Sequence, residues 1–401
     1  MYKRQVLSSS NGLEKYPKLR FKGFSAPWHE IVIGDLFRVT RGYVLPTTAV
    51  KEKPQDEYIF PVYSSQTKDE GLMGYYNQYL YENAITWTTD GANAGTVHFR
   101  DGKFYCTNVC GVLLNEDGNA NRCIAEILGS ISKKYVSYVG NPKLMNNVMS
   151  EIRIHIPSVA EQKKIDELIS ALDLRIVKQR ELIEHLKKYK RGAIEAIFNR
   201  TISFSSNTED SWKEFRLGEF ARRITRKNGQ TTDIPLTISA QYGLIDQREF
   251  FSKTVASSDM SGYYLLHKGE FAYNRSTSSE YPFGSIKRLD KYDKGAVSTL
   301  YLCFDANEEI MDSDFIMWYF ESSRWHNGVW EICAEGARNH GLLNVPTAGF
   351  FDTVHYLPSN KAEQKRIVAF LSTIDERYTR AFSELEELNN LKNGLYQRLF
   401  I

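Results

Sequence analysis

The sequence is poor in cysteine and contains no long hydrophobic run. Five cysteines among 401 residues are an odd number at low density, which excludes a disulfide framework and favours a reducing compartment. No stretch approaches the ~18 consecutive apolar residues of a membrane-spanning helix, and the first ten residues lack an apolar core of signal-peptide length. We therefore expect a soluble, cytoplasmic protein that does not bind membranes.

Net charge is also nearly absent. The chain has 51 Lys and Arg against 49 Asp and Glu, a net charge of +2, which excludes a protein that holds nucleic acid by bulk positive charge but not one with local basic patches. Residues 1–156 carry a net charge of +3 and residues 201–357 carry −5. To bind nucleic acid, the acidic region would need a local cluster of basic residues along one edge. The sequence offers such a basic edge at Arg216, Arg222, Arg223, Arg226 and Lys227.

The familiar catalytic motifs are missing. The sequence has no Gly-x-x-x-x-Gly-Lys-Ser/Thr, Gly-x-Gly-x-x-Gly, His-Glu-x-x-His or Gly-x-Ser-x-Gly pattern, which are the signatures of phosphate-binding loops, dinucleotide sites, zinc proteases and serine hydrolases. No second Cys or His pair is spaced to complete a zinc site with Cys106 and Cys110. We expect no catalytic residue, no metal and no cofactor in this chain.

An internal repeat is the most informative feature that is present. Residues 160–198 and 362–400 align without a gap, and 13 of the 39 positions are identical. Fainter matches precede them, since Trp28 is followed by Gly34-Asp35-Leu36 and Trp212 by Gly218-Glu219-Phe220 at the same spacing. The sequence predicts a tandem duplication, each half a variable domain followed by a helix.

Both repeated segments carry a heptad pattern. Apolar residues at a and d positions over five heptads predict two long helices that pair as an antiparallel coiled coil, with one shared polar interruption at Lys190 and Lys392. An ordinary amphipathic helix packed on its own domain is the alternative. The predicted pairing residues are Ile165, Ile169, Leu172, Ile176, Ile183, Leu186 and Ile197 in the first helix, and Ile367, Leu371, Ile374, Tyr378, Leu385, Leu388, Leu395 and Leu399 in the second.

The remaining segments predict an α+β fold with pseudo-two-fold symmetry. Short alternating runs rich in Tyr, Phe, Thr and Val, broken by Gly, Asn and Asp, are typical of β-rich domains, with a few helices at 124–132 and 314–323. The predicted boundaries are 1–156 for the first β-rich domain, 157–200 for the first spacer helix, 201–357 for the second β-rich domain and 358–401 for the second spacer helix.

This arrangement resembles the specificity subunit of type I restriction-modification enzymes. The resemblance is carried by the two Trp…Gly-Asp/Glu openings and by the Pro-Ser step followed by Ala-Glu-Gln-Lys-Lys/Arg-Ile at the start of each helix. It implies a non-catalytic subunit whose two β-rich target-recognition domains each read one part of a bipartite DNA sequence for restriction and DNA methylation. It also implies that the helices space these domains and dock two methyltransferase subunits, with motor-nuclease subunits bound through them. S-adenosylmethionine, ATP and Mg would then belong to those partners.

Candidate base-reading residues lie in turns rich in amide, hydroxyl and guanidinium groups, which read base edges. In the first domain they are Ser64, Ser65, Gln66, Lys68, Thr88, Thr89 and Asn93, the last three on a turn expected to expose them. In the second domain they are Ser239, Gln241, Tyr242, Asn274, Arg275, Ser276, Thr277, Arg338 and Asn339. For each of these stretches a solvated loop is the alternative, and Arg275 is predicted to contact a guanine with both guanidinium arms.

A second class of function competes with DNA recognition. The chain would then be an adaptor with two ligand-binding β modules on a coiled-coil strut and no nucleic-acid partner. The low net charge favours this adaptor, whereas the occurrence of such polar turns in both halves favours the DNA reader.

Overall fold

The computed structural model describes residues 17–65, 68–205, 211–239, 243–250, 259–279, 281–333 and 341–400. Helix and sheet are mixed, in agreement with the predicted α+β class. The chain divides into two compact units. Unit 1 comprises Met1–Arg180 with Ser383–Ile401, and unit 2 comprises Glu181–Phe382. The division cuts through two long helices, so each unit contains one globular part and a segment of each helix.

The globular part of unit 1 is built on a six-stranded sheet. The strand order is β2-β7-β5-β6-β3-β4, antiparallel except for the β3–β6 pair, and β1 pairs separately with β8. The elements are β1 (His29–Val32), α1 (Ile33–Leu36), β2 (Arg38–Arg41), β3 (Phe60–Tyr63), β4 (Leu72–Tyr76), β5 (Tyr81–Thr88), β6 (Val97–Cys106), β7 (Cys110–Leu114), α2 (Arg122–Ile131), α3 (Asn146–Glu151) and β8 (Arg153–Ile156).

Helix α2 covers this sheet. Asn121 caps its N-terminus by accepting a hydrogen bond from the Ile124 N–H at 3.0 Å, and Ile124, Ile127 and Leu128 are buried in one cluster with Trp87 and other residues of the sheet. The helix predicted at 124–132 is therefore present. Cys106 ends β6 and Cys110 begins β7, and both are buried as small hydrophobic side chains. Burial raises the pKa of the Cys110 thiol to about 11.

Unit 2 has a smaller sheet and an aromatic core. Its sheet order is β10-β17-β14-β15, and three further pairs are β9-β18, β11-β12 and β13-β16. Phe271 and Phe304 stack at 5.1 Å between ring centroids in its core. The elements are β9 (Trp212–Arg216), α5 (Leu217–Phe220), β10 (Ala221–Ile224), β11 (Leu236–Ser239), β12 (Gly243–Asp246), α6 (Gln247–Phe250), β13 (Tyr264–His267), β14 (Phe271–Asn274), β15 (Ser285–Arg288), β16 (Lys294–Val297), β17 (Leu302–Ala306), α7 (Ser313–Phe320), α8 (His326–Ile332), α9 (Thr347–Asp352) and β18 (Val354–Pro358).

The two long helices are α4 (Val159–Phe198) and α10 (Lys361–Leu399). The Ser158 hydroxyl accepts a hydrogen bond from the Glu161 N–H at 3.4 Å at the start of α4. At the start of α10 the cap is Asn360, whose side chain accepts from the Ala362 N–H at 2.9 Å. Polar side chains that accept from free N–H groups of the first turn define where such helices begin. In the described ranges, no helix combines the length and apolar character that crossing a membrane requires.

The Glu-Gln pair of each helix start is buried and joins the helix to its globular part. In unit 1, Glu161 forms a two-bond ion pair with Arg20 at 2.6 and 2.9 Å, and Gln162 bonds the side chains of Asn119 and Asn121. In unit 2, the Glu363 carboxylate accepts from the Ser211 hydroxyl and the Trp212 indole N–H. The Gln364 side chain accepts from the Asp312 N–H and donates to the Pro358 carbonyl. Buried polar groups require such partners, so this motif is a structural joint.

Segments of the two helices contact each other inside each unit. In unit 1, Asp173 and Lys392 form an ion pair at 2.6 Å, and Gln179 bonds Glu384 at 3.2 Å. As the residue number rises on α4, that of its partner on α10 falls, so the two segments run in opposite directions. In unit 2, Lys190 and Asp375 pair at 2.6 Å. All of the residues predicted for helix pairing are buried or half-buried.

Candidate nucleic-acid interface

The first polar turn comprises residues 88–96, which connect β5 to β6 in unit 1. It is closed by hydrogen bonds from the Thr88 N–H to the Thr96 carbonyl at 2.9 Å and from the Gly95 N–H to the Thr88 carbonyl at 2.8 Å. The expectation that this turn exposes its threonines is wrong, because Thr88 and Thr89 are only 7 % and 2 % exposed. The Thr89 N–H donates to the Val109 carbonyl and the Thr89 carbonyl accepts from the Leu144 N–H, so neighbouring segments cover both residues.

A polar cavity of about 180 Å³ lies beside this turn. Three residues that the sequence singles out, Ser64, Thr88 and Asn93, line it together. The other lining residues are Glu70, Thr86, Trp87, Thr96, His98, Arg100 and Cys110. Residues from β5, β6 and β7 and from the segment after β3 thus converge on one concave place, as the polar groups of a ligand site do.

Arg100 is the principal charged group of the cavity, and sequence reasoning missed it. Its Nε donates to the Thr86 hydroxyl at 3.0 Å, its Nη2 donates to the Glu70 carbonyl at 2.8 Å, and the guanidinium lies 3.7 Å from the centroid of the Tyr63 ring. Burial lowers the pKa of the Arg100 guanidinium. The sequence of β6 has no feature that distinguishes this buried arginine from one that faces solvent.

His98 lies on the same strand and is neutral at physiological pH. Burial and, to a lesser degree, the charge of Arg100 lower the pKa of His98 to about 4, since both effects disfavour the protonated imidazole. The cavity therefore offers the Arg100 cation, the Glu70 carboxylate, neutral imidazole nitrogens, and the hydroxyl and amide groups of other lining residues.

The Ser64 stretch packs against this turn. The Thr107 hydroxyl donates to the Ser64 hydroxyl at 3.0 Å, and the Asn93 amide donates to the Ser65 carbonyl at 3.1 Å. Of the other predicted residues here, Gln66 lies outside the described residues. The backbone of Lys68 begins a short 3₁₀ segment, Lys68–Gly71.

The second polar turn comprises residues 274–279, which follow β14 in unit 2. The Asn274 side chain accepts from the Ser276 N–H at 3.0 Å, and the Thr277 N–H donates to the Gly341 carbonyl at 2.8 Å. Arg275 is half-buried, and its guanidinium donates to the carbonyls of Leu300 at 2.9 Å and Val345 at 3.4 Å. Both terminal nitrogens of the Arg275 guanidinium, which the sequence assigned to a guanine, therefore donate to backbone carbonyls. The role of Arg275 as a base reader stays a prediction.

The remaining sequence-predicted residues divide into two groups. Ser239 ends β11 and is buried, so it does not project from the surface. Gln241, Tyr242, Arg338 and Asn339 lie outside the described residues.

The proposed basic edge of unit 2 is partly neutralised. Arg226 forms a two-bond ion pair with Glu270 at 2.7 and 2.9 Å, Lys227 donates to the Gly262 carbonyl at 2.9 Å, and Arg216 lies 3.8 Å from Asp352. Arg222 and Arg223 on β10 are exposed. Because these two arginines are exposed, the edge keeps some positive surface around them.

Comparison with known proteins identifies relatives for much of the chain. The family described as the type I restriction modification DNA specificity domain matches residues 26–188. A putative type I specificity subunit of Mycoplasma pneumoniae, named as an N-terminus, is 38 % identical over 140 residues, which are 34 % of this chain and 73 % of that protein. A second putative type I specificity subunit of the same organism is 25 % identical over 353 residues, 86 % of this chain and 88 % of that protein.

The extent of the match differs among relatives. A third putative type I specificity subunit of M. pneumoniae is 34 % identical over 155 residues, and the chain spans 50 % of its length. Among solved structures, the S subunit of a type I restriction-modification system from M. genitalium covers 96 % of this chain at 15 % identity. The match takes in 99 % of that subunit with a TM-score of 0.60. At this identity the structural likeness concerns the fold.

Proposed function

The chain belongs to the specificity subunits of type I restriction-modification systems, and from this membership we propose that it recognises a bipartite DNA sequence. Unit 1 reads one half-site through the first polar turn and its cavity. Unit 2 reads the other half-site through the second polar turn. The boundaries of the two target-recognition domains are those that the sequence predicts, 1–156 and 201–357.

The observation that carries this proposal is that the same backbone bonds hold both polar turns. In unit 1 the Leu144 N–H donates to the Thr89 carbonyl, and the Gly91 N–H donates to the Pro142 carbonyl. In unit 2 the Leu343 N–H donates to the Arg275 carbonyl, and the Thr277 N–H donates to the Gly341 carbonyl. Turns that are fixed alike and carry different side chains suit two readers of different half-sites.

We further propose that α4 and α10 form one antiparallel coiled coil around a pseudo-two-fold axis. Its support is a reciprocal pair of contacts: Lys190 pairs with Asp375, and the equivalent Lys392 pairs with the equivalent Asp173. Reciprocity of this kind is the property of an interface around a two-fold axis. Lys190 and Lys392, which interrupt the heptad pattern, thus provide the cation of each ion pair. Polar residues at such positions set the register of coiled coils.

This chain's role in the complex is recognition, with chemistry left to its partners. We propose that the long helices dock two methyltransferase subunits and, through them, the motor-nuclease subunits, and that S-adenosylmethionine, ATP and Mg bind to those partners. Large apolar side chains that both helices leave exposed support a docking role. They are Leu174, Val177, Leu182, Tyr189, Phe382 and Leu391.

The first test maps the methylated sequence. The chain is assembled with its methyltransferase subunits, genomic DNA is methylated, and the modified positions are sequenced. We expect a target with two specified halves and an unspecified gap. Asn93→Ala should change one half alone, and the control Asp101→Asn, an exposed residue on β6, should change neither. A contiguous target, or no sequence preference, would contradict the proposal.

The second test measures the spacer role of the helices. Four residues added to α4 between Arg191 and Asn199 lengthen it by about 6 Å, which is about two base pairs at ~3.4 Å per step. The two halves of the target should stay the same while the gap grows by one or two base pairs. A changed half-site with an unchanged gap would show that the helix takes part in reading. Circular dichroism at 222 nm checks that the lengthened helix remains folded.

A further inference from the structure

Residues 137–143 form a small hairpin in unit 1 that the sequence analysis did not assign. The Ser137 N–H donates to the Lys143 carbonyl at 2.8 Å, and the Lys143 N–H donates to the Ser137 carbonyl at 2.9 Å. Gly140 has a φ of +76°, the left-handed conformation that glycine adopts without strain in tight turns. We refer to these residues as the 137–143 hairpin.

The base of the 137–143 hairpin is fixed to the first polar turn. Val136 and Leu144, which flank the hairpin, are buried, and a Cβ on Gly95 would lie only 2.9 Å from the Val136 side chain. The Trp87 indole donates to the Leu144 carbonyl at 2.9 Å. Together with the two backbone bonds from the turn, these contacts give the hairpin and the turn one rigid base.

The tip of the 137–143 hairpin is exposed and apolar. Val139 is 92 % exposed and Tyr138 is 69 % exposed. Scattered apolar residues on a surface are normal, but here two neighbours stand at the end of a fixed hairpin. The tip is therefore a projecting apolar wedge.

Lysines precede the 137–143 hairpin and end it. Lys133, Lys134 and Lys143 are exposed, and the sequence from 127 to 150 contains no acidic residue. Lys143 lies 3.8 Å from Asp90 with half of its side chain exposed. Protein interfaces are depleted in lysine at their centres, whereas lysine is a regular ligand of DNA phosphates.

We propose that the 137–143 hairpin enters a groove of duplex DNA beside the half-site that unit 1 reads. Tyr138 and Val139 pack against the groove, and Lys133 and Lys134 contact the phosphates that flank it. Apolar wedges with basic flanks are a known way for proteins to hold and bend DNA. The inference rests on the proposed function, because it assumes that the first polar turn recognises the bases. It adds that the 137–143 hairpin holds the duplex beside this turn.

A cleavage experiment tests the position of the tip. Val139→Cys places a thiol on the tip of a chain that also carries Cys333→Ser, because Cys333 is half-buried. The remaining native cysteines are buried, so an iron–EDTA reagent attaches at the introduced thiol. The control is Asp101→Cys. Asp101 is exposed and lies on β6, after the residues 97–99 that pair with the end of β5 next to the first polar turn. Each labelled chain is assembled with its methyltransferase subunits on a duplex carrying a site methylated by that complex.

The proposal predicts DNA cleavage from the tip label, clustered within a few base pairs of one edge of one half-site, and none from the control. Site-specific binding without cleavage from the tip would overturn the hairpin inference and leave the proposed function standing. Cleavage of a methyltransferase subunit by the tip label, without cleavage of DNA, would overturn it in favour of a protein partner. Absence of sequence-specific binding by the unlabelled complex would overturn both.

The salt dependence of binding tests the lysines. Removal of one lysine–phosphate pair lowers the slope of log K against log salt concentration by about 0.9. Lys133→Ala with Lys134→Ala should therefore reduce this slope by about two. Lys51→Ala with Lys53→Ala removes the same charge from exposed positions of the same unit and should leave the slope nearly unchanged. Equal effects of the two double variants would overturn the inference, because net charge alone would then explain them.

Discussion

The two polar turns share a frame and differ in what they carry. Thr89 and Arg275 occupy the same place between the same pair of backbone bonds. The Thr89 hydroxyl is engaged by the adjacent Asp90 at 2.6 Å, whereas the Arg275 guanidinium reaches carbonyls 25 and 70 residues away. A fixed backbone frame can thus receive side chains of different reach without changing its own bonds, which is what a domain with variable specificity requires.

The two units also differ in how charge is distributed. The globular segment of unit 1 has a net charge of +3 and that of unit 2 has −5. In unit 1 the segment before the last short helix contains Lys133, Lys134 and Lys143. In unit 2 the equivalent backbone bonds make 336–342 the counterpart of the hairpin, and most of these residues lie outside the described residues. Because DNA affinity depends on neutralised phosphates, unit 1 is the better suited to hold the duplex.

The largest expected effect concerns the glycines before β6 and β15. Gly284 has a φ of +76° and a Cβ there would lie 2.1 Å from the Asn274 carbonyl oxygen, whereas Gly95, at +78°, faces the Val136 side chain. Gly284→Ala should lower the free energy of unfolding by about 4 kcal/mol and Gly95→Ala by about 2, from left-handed strain and overpacking. Urea unfolding measures both, with Gly192→Ala, which meets no neighbour, as the control. Equal losses of unfolding free energy in the two variants would show that the two turns accommodate an added Cβ equally well.

The second effect concerns the joints between the helices and the globular parts. Glu161→Gln leaves Arg20, whose side chain is 14 % exposed, without its carboxylate and should lower the free energy of unfolding by about 3 kcal/mol. Glu363→Gln keeps one oxygen that can accept from the Trp212 indole, and its amide nitrogen can donate to the Ser211 hydroxyl, which can rotate to accept. This change should cost about 1 kcal/mol. Thermal unfolding of both variants compares them. A larger loss from Glu363→Gln would mean that the joint in which the carboxylate meets neutral donors is the stronger one.

The third effect is the pH dependence that His355 of unit 2 contributes, beside that of His98 in unit 1. His355 on β18 is buried between the Tyr319 and Thr353 hydroxyls at 2.8 Å each, and burial lowers the pKa of its imidazole to about 4. The unfolded chain, with an ordinary pKa near 6.5, binds the proton more readily than the folded chain. Stability from this group is therefore complete above pH ~6.5 and is lost as the pH falls towards 4.

About 2 kcal/mol should disappear between pH 7.5 and pH 5. In unit 1 the residue that pairs at the corresponding place of β8 is the apolar Ile154. His355→Ile should therefore reduce the loss of stability between pH 7.5 and pH 5 by about 2 kcal/mol, whatever its effect at pH 7.5, and leave the contribution of His98 in place. An unchanged pH profile in this variant would assign the effect to another group.

The smallest effect compares Arg275 with Thr89. If Arg275 reads a guanine, Arg275→Ala should relax one position of one half-site by ~1–3 kcal/mol of discrimination, seen as a change in the methylated sequence. Thr89→Ala should leave the other half-site unchanged, because Thr89 is covered. A lower melting temperature with an unchanged target would mean that Arg275 only ties the second polar turn to its carbonyl partners.

Much of the fold was predictable because it follows from local periodicity. A heptad pattern requires only that apolar residues recur along one face, so the long helices and the buried state of their a and d residues follow from spacing alone. The helices near 124–132 and 314–323 follow from the same kind of pattern. The polar interruption at Lys190 was visible as well, but its partner, Asp375, was not.

What the sequence determined by itself is therefore the order of elements, the internal repeat and the candidate turns, because each depends on residues close together in the chain. Only the tertiary structure decided that Thr88 and Thr89 are covered, that Arg100 lies in a cavity with Ser64 and Asn93, and that the 137–143 hairpin is fixed to the first polar turn. Each of these depends on segments tens of residues apart. Burial and hydrogen bonding depend on which distant groups arrive next to a side chain, and residue spacing along the chain does not encode that.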